Sequence, residues 1–292
     1  MSQLPKYRIY ATLLDSYRNM EESDKVWDKY WGNAKEPPHN AEQFHWLQVE
    51  DFVNGINRCE HVPSMPASRG TAFNELVDSL IEWRKPDVQD LQVMRGEDGK
   101  ATQIQCGLDG FTFCFDAKLL REMAAYYNDA VCQYYTSGIM NTIYGKVELY
   151  GYIDELMPTC IHDIKTTGSY EFPKFNKHAQ HLVYPFCLKQ QGMDIADFQY
   201  DIVVFPKYGP TEVCSELYSF HYEDEQRLRL WVEEVVAWLD MYRPLITDTK
   251  IFGAEKHEVA GIPVTEMETK GLPQNCVEII DNIKLTHQQL GQ

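Results

Sequence analysis

The sequence predicts a mixed α/β protein, with a central mixed sheet flanked by helices and an N-terminal helical layer. Three observations carry that expectation. Helical and strand periodicities are interleaved along the chain instead of falling into separate blocks, which is the order of a layered α/β or α+β fold. Hydrophobic residues make up 44% of the 292 positions and aromatics 13%, enough for a sizeable core and too many for a disordered chain. No apolar run approaches the roughly 18–20 residues of a membrane span, and the mean hydropathy is −0.43.

Residues 7–20 and about 41–58 carry apolar side chains at helical spacing: Leu13, Leu14 and Tyr17 in the first, Phe44, Leu47 and Phe52 in the second. Between them 32–40 (GNAKEPPHN) is a turn-rich connector. Pro63 and Pro66 break the chain ahead of Ser68, near which a helix over 71–83 begins. A hairpin is expected at 102–106 and 110–115, then a helix over 118–135. Residues 143–156 alternate as a strand through Val147, Leu149 and Ile153; Met157-Pro158-Thr159 turns the chain, and 160–166 return as a second strand. A helix over about 175–189, strands at 198–206 and 213–221 and a periodic helix over 223–242 follow. Beyond Pro244 the pattern weakens. The expected organisation is an N-terminal helical region (1–67), a core (68–243) and an acidic C-terminal extension (244–292), with no internal repeat.

The N-terminus shows no apolar signal region, so a cytoplasmic location is expected. The eight cysteines include no CxxC, which argues against zinc and iron–sulfur sites and for small core residues in a reducing compartment. With 27 Lys and Arg against 44 Asp and Glu, the net charge is −17, unusual for a protein that coats nucleic acid. The acid is uneven. Residues 210–292 hold fifteen acids against seven bases, whereas 165–189 hold Lys165, Lys174, Lys177 and Lys189 against Glu171 alone.

If the turn is centred between Pro158 and Thr159, residues whose numbers total 317 face one another, so Asp154 sits opposite Asp163. Lys165, two residues further on, shares that face because strand side chains alternate. Opposed residues lie roughly 4.5–5.5 Å apart, where two carboxylates repel by about 3–4 kcal/mol at an effective dielectric near 20. One lysine is a single charge against two, so the pair calls for a further cation. Oxygen donors without Cys or His suit Mg²⁺ or Mn²⁺. By itself such a hairpin is most simply a surface charge cluster.

The segments around it are more specific. Gly151-Tyr152-Ile153-Asp154 is followed by Asp163-Ile164-Lys165 and then by residues 180–184 (QHLVY), with 68–78 (SRGTAFNELVD) upstream. In that order they resemble the PD-(D/E)XK nuclease superfamily, in its RecB-like and phage-exonuclease branch, with its GxxD strand, (D/E)xK strand, QxxxY helix and preceding helix. The likeness covers roughly residues 68–190. It implies a restriction-endonuclease-like core and metal-dependent hydrolysis of phosphodiester bonds in DNA, as an exonuclease of phage-type recombination or repair. It further implies that Asp154, Asp163, the carbonyl of Ile164 and the upstream acid Glu75 hold one or two Mg²⁺ or Mn²⁺ ions. Lys165 would orient the attacking water or stabilise the phosphorane, while Gln180, Tyr184 and Lys177 would position the nucleic-acid backbone.

The sequence also departs from that pattern. Position 74 is Asn where many members have a metal-binding His, which leaves Glu75 as the upstream acid and Asp78 as the alternative one turn on. Pro185 falls inside the expected helix and removes the bond to the carbonyl of His181. Asn74 and the net charge favour a second reading, a catalytically weak or inactive nuclease-fold protein that binds nucleic acid; the intact Asp154, Asp163 and Lys165 oppose it. Other chemistries find less. Cys160 and His162 lack a third orienting group, His178 and His181 read as solvated helix residues, and no phosphate-binding glycine loop is present. Trp27, Tyr30 and Trp31 are expected as core and helix-face residues, with base stacking as the alternative. No sequence feature supports a homo-oligomer or a recombination partner protein.

Overall fold

The computed structural model describes residues 4–60, 62–253 and 261–291. Strand β1 (Tyr7–Tyr10) leads into helices α1 (Ala11–Glu21), α2 (Ser23–Trp31), α3 (Ala41–Ile56) and α4 (Met65–Ile81). A small antiparallel sheet follows: β2 (Gln89–Arg95), β3 (Ala101–Leu108) and β4 (Phe111–Asp116). Then come α5 (Ala117–Tyr126), β5 (Val131–Thr142), β6 (Gly145–Leu156), β7 (Cys160–Thr167), α6 (Gln180–Gln190), β8 (Asp197–Val204), β9 (Glu212–Ser219), α7 (Tyr222–Met241) and α8 (Gln274–Leu290).

The larger sheet is mixed. Its order is β1-β6-β7-β8-β9, with β5 along the other edge of β6. β1 runs parallel to β6 and β7 parallel to β8; the remaining pairs are antiparallel. Its main apolar cluster joins Leu14, Phe52, Leu149, Phe198, Val235 and Ile280, so side chains from 1–67, 68–243 and 244–292 share one core. A second cluster joins Ile164 and Val203 of the large sheet to Phe73 of α4, Phe115 of β4 and Tyr127 beyond α5. The mixed α/β expectation therefore holds. Among the described residues no helix is long and apolar enough to cross a membrane.

Several elements differ from the sequence reading. Tyr7–Tyr10 is a strand, not the first turns of a helix: Tyr7 and Ile9 are buried in period two, and the segment pairs with Val147–Tyr150. The helix expected to reach 135 stops at Tyr126, and Asp129 at φ 67° turns the chain into β5, whose aromatic and β-branched residues pair along all of β6. β2 is an exposed edge strand with no alternation to mark it. α8 lies where the sequence pattern weakens, yet it buries Cys276, Ile279, Ile280 and Ile283, a helical repeat. α6 begins at Gln180, five residues later than expected, and accommodates Pro185 within a stretch buried on all sides.

Candidate functional site

The β6–β7 turn has the expected register. Met157 N–H donates to the Cys160 carbonyl at 3.1 Å, and Glu155 pairs with His162 and Leu156 with Ile161. The backbone ladder ends there. In a continuing ladder Ile164 would face residue 153; instead its N–H donates to Asp154 Oδ2 at 3.2 Å. β6 then takes β1 as its neighbour only at Val147–Tyr150. Between those pairings, Gly151–Asp154 has no strand on that side among the described residues, and the Tyr184 ring of α6 lies against Gly151.

Asp163 is almost fully buried. Its Oδ2 lies 2.7 Å from Lys165 Nζ, and its Oδ1 accepts from Gln180 Nε2. Lys165 keeps a quarter of its side chain exposed and passes 5.8 Å from the Tyr200 ring centroid. Asp154 Oδ2 also accepts from Asn74 Nδ2 at 3.3 Å. Burial, and next the neighbouring Asp163 charge, push the Asp154 carboxyl up to about 8. Burial opposes the Lys165 ammonium, but Asp163 and Asp154 outweigh it and hold its pKa above the ordinary lysine value. Asn74 Oδ1 and Gln180 Oε1 are buried with no hydrogen-bond partner.

The structure thus brings together Asn74, Asp154, Asp163, Lys165, Gln180 and Tyr184. Two expected members stand elsewhere. Glu75 is bound by Arg84 through both oxygens, at 2.5 and 2.9 Å, and also accepts the Asp87 N–H. The Arg84 hydrogen bond holds its carboxyl below the ordinary value. Neighbouring helix positions point about 100° apart, so with Asn74 turned to Asp154, Glu75 faces away. Lys177 precedes α6 and pairs with Glu22 at 2.9 Å, so it shares no helix face with Gln180 and Tyr184. Those two are themselves buried and serve the carboxylates and the β6 backbone.

The alternative upstream acid, Asp78, is buried with Gln133 Nε2 at 3.1 Å, and burial raises its pKa. Beside it Glu155 is fully enclosed, and burial, then Asp154 and Asp78, push its carboxyl well up. Among the described residues no three His, Cys, Asp or Glu side chains are grouped as a metal cluster. Burial pushes the Cys160 thiol up to about 12, and His162 is tied to Asp201 at 2.8 Å. Sequence reasoning missed Asp15 and Glu216. Asp15 Oδ1 accepts the Ala179 N–H at the start of α6, and Glu216 accepts the N–H groups of Lys174 and Phe175. Neither carries a motif, since only the folded path brings them there.

No family model matches the chain, and no curated protein matches it. The protein named SSO0001 has a crystal structure similar at TM-score 0.39 and 11% identity, over 81% of this chain and 79% of that one. A crystal structure from Eubacterium rectale, whose name contains the word exonuclease, is similar at TM-score 0.33 and 14% identity, over 79% and 82%. At these values neither likeness decides the fold or the activity.

Proposed function

We propose that the chain is a metal-dependent deoxyribonuclease with a restriction-endonuclease-like core, acting as an exonuclease in phage-type recombination or repair. The observation that carries this reading is the pair Asp154 and Asp163, held together where β6 and β7 part, with Lys165 on Asp163.

The donor set fits Mg²⁺ or Mn²⁺. Two acids, Asp163 buried and Asp154 half-buried, face one lysine, Asp154 is driven toward its neutral form, and two amide oxygens beside them are unpartnered. Asp154, Asp163 and the Ile164 carbonyl would hold the ion, with Asn74 in place of Glu75 as the upstream group. When bound, the ion lowers the pKa of water and offsets charge on the attacked phosphate. Gln180 fixes the rotamer of Asp163. Lys165, partly exposed, presents its ammonium to the incoming phosphate and stabilises charge as it develops.

The alternative, a nuclease-fold nucleic-acid-binding protein without catalysis, draws on Asn74 and on the lack, among the described residues, of a group of three acids able to hold a metal. One experiment separates them. End-labelled linear DNA and closed circular DNA are incubated with the protein over a Mg²⁺ and Mn²⁺ titration. Loss of the linear form alone supports the exonuclease, nicking of the circle indicates an endonuclease, and no cleavage with either ion overturns the catalytic reading.

A further inference from the structure

A basic recess lies beside the carboxylates, not on them. α1, α2 and residues 173–178 enclose a cleft of about 530 Å³. Arg18, Lys25, Lys29, Lys174 and Lys177 line it, on a chain of net charge −17. Of its two acids only Glu22 is fully paired, and Asp15 Oδ2 is buried without a hydrogen-bond partner. Glu22 pairs with Lys25 at 3.3 Å and Lys177 at 2.9 Å, while Asp15 caps Ala179 and faces His178 at 3.3 Å. Arg18 stacks over Trp231 and donates to the Lys177 carbonyl.

Two of its lysines have no carboxylate ion pair among the described residues. Lys174 donates to neutral oxygens, Thr167 Oγ1 and the Ser169 carbonyl. Lys29 is exposed on α2 with its ammonium 5.6 Å from the Tyr30 ring centroid. Burial, and next the charge of Lys29, hold the Lys174 pKa below the ordinary lysine value. Like charges brought together from two elements favour an anion between them.

The cleft adjoins the candidate metal centre. Asp15 lines it and also acts electrostatically on the Lys165 ammonium. Thr167, which Lys174 holds, lies two residues past Lys165 on β7. Ammonium groups therefore lead from Lys165 to Lys174 and on to Lys29, with Tyr30 62% exposed at the rim. We infer that this cleft seats a single strand of nucleic acid, with a phosphate between Lys29 and Lys174 and an unpaired base stacked on Tyr30. The volume is that of a small-ligand pocket, and stacking on a side chain needs a base freed from its partner. On so acidic a protein, polyanion binding is confined to such a recess. The inference rests on the nuclease reading for the use of the strand, and not for its binding.

The test uses the full chain in EDTA, where no cleavage occurs. Anisotropy of a labelled 12-nucleotide oligo-dT is compared with that of a blunt 12-base-pair duplex, and inorganic phosphate serves as competitor. The strand is expected to bind at least tenfold more tightly than the duplex and to resist phosphate at millimolar concentration. Lys29→Glu is expected to weaken it at least tenfold, Lys174→Gln several-fold and Tyr30→Ala about fivefold or more, with each lysine lowering the salt slope by about one. Should Lys29→Glu melt early, the exposed Lys25→Glu replaces it. Equal binding of duplex and strand, unchanged affinity in the lysine variants, or easy displacement by phosphate overturns the inference. Strand binding through the cleft without any cleavage in Mg²⁺ would defeat the nuclease reading alone; cleavage with unaltered Lys29→Glu binding would defeat this one alone.

Discussion

The Tyr184 ring lies so close to Gly151 that a Cβ added at 151 would sit 2.6 Å from Cε1 of the ring. The glycine of the GxxD segment is thus required by a close approach and not by an unusual φ. That contact seats α6 in the gap that β7 vacates, and one turn earlier on the same helix Gln180 grips Asp163.

Gly151→Ala is accordingly an overpacking change. It is expected to cost about 1–3 kcal/mol, read as a lower melting temperature, together with a loss of cleavage as α6 is pushed from Asp163. Tyr184→Ala in the same chain makes room for the methyl, so the double variant should be more stable than the sum of the single losses. Strict additivity would show that the ring does not seat the helix.

Asn74 and Glu75 are expected to separate cleanly. Glu75→Gln loosens a partly exposed ion pair with Arg84, a loss of about 1 kcal/mol or less, and leaves cleavage within about twofold. Asn74→Ala removes a group that holds Asp154 and is expected to cost about 10–100-fold in cleavage or metal affinity. The reverse ranking, measured under saturating Mg²⁺, would return the upstream role to Glu75.

Asp154 links stability to pH and metal. Its folded value of about 8 stands above its ordinary 3.8. Between these values the folded state holds a proton that the unfolded chain has lost, so this group's contribution to stability declines as pH rises. Mg²⁺ should therefore raise the melting temperature more at pH 8 than at pH 5. Asp154→Asn in EDTA should melt above the parent at pH 8 and respond little to metal. An equal metal shift at both pH values would remove the carboxylate from the site.

His181 works in the opposite direction. It is buried on α6 with Nδ1 3.3 Å from the Tyr200 hydroxyl and its ring stacked on Tyr218 at 4.5 Å. Burial, and next Arg227, bring its pKa down to about 4. The unfolded chain takes up this proton first, so stability is full above about 6.5 and is lost as pH falls toward 4, by at most about 3 kcal/mol. His181→Phe should flatten the stability curve over that window when compared with the parent. An unchanged slope would assign the acid loss to other groups.

The hairpin was legible because local rules set it: turn length fixed the pairing of Glu155 with His162, and strand period put Lys165 beside Asp163. What the sequence hid depended on distant neighbours. Tyr7–Tyr10 has too few residues to show its period, and it is a strand because Val147–Tyr150 offers an edge. The preference for Glu75 over Asp78 depended on the rotation of α4, and in the fold Asn74 turns to Asp154 while Arg84 binds Glu75. Lys177 lies off the helix face of Gln180 and Tyr184 because α6 starts late. The cis Phe172–Pro173 bond and the hold of Glu216 on Lys174 and Phe175 belong to a non-helical segment where a helix had been expected.

Lys165 offers the sharpest test of catalysis. A structural role and a catalytic role both require its ion pair with Asp163, and they part in what its loss removes. As a structural group it balances a buried carboxylate, so Lys165→Ala would leave Asp163 to Gln180 alone and lower the melting temperature, while any activity fell only with stability. As a catalytic group it supplies charge where the phosphate reacts. Cleavage should then fall at least ~10²-fold, the usual loss for one preorganised electrostatic group, at temperatures where the variant stays folded. Metal binding should survive, since no oxygen donor is lost, and DNA affinity measured in Ca²⁺ should stay within a few-fold. Lys165→Arg should restore stability without restoring cleavage, because a planar guanidinium can still pair with Asp163 but does not replace a compact ammonium at a crowded phosphate. Melting, Ca²⁺-supported binding and Mg²⁺-supported cleavage are to be measured on the same preparation. Rescue of cleavage by Lys165→Arg in step with stability would make the lysine a scaffold and move the chemistry elsewhere.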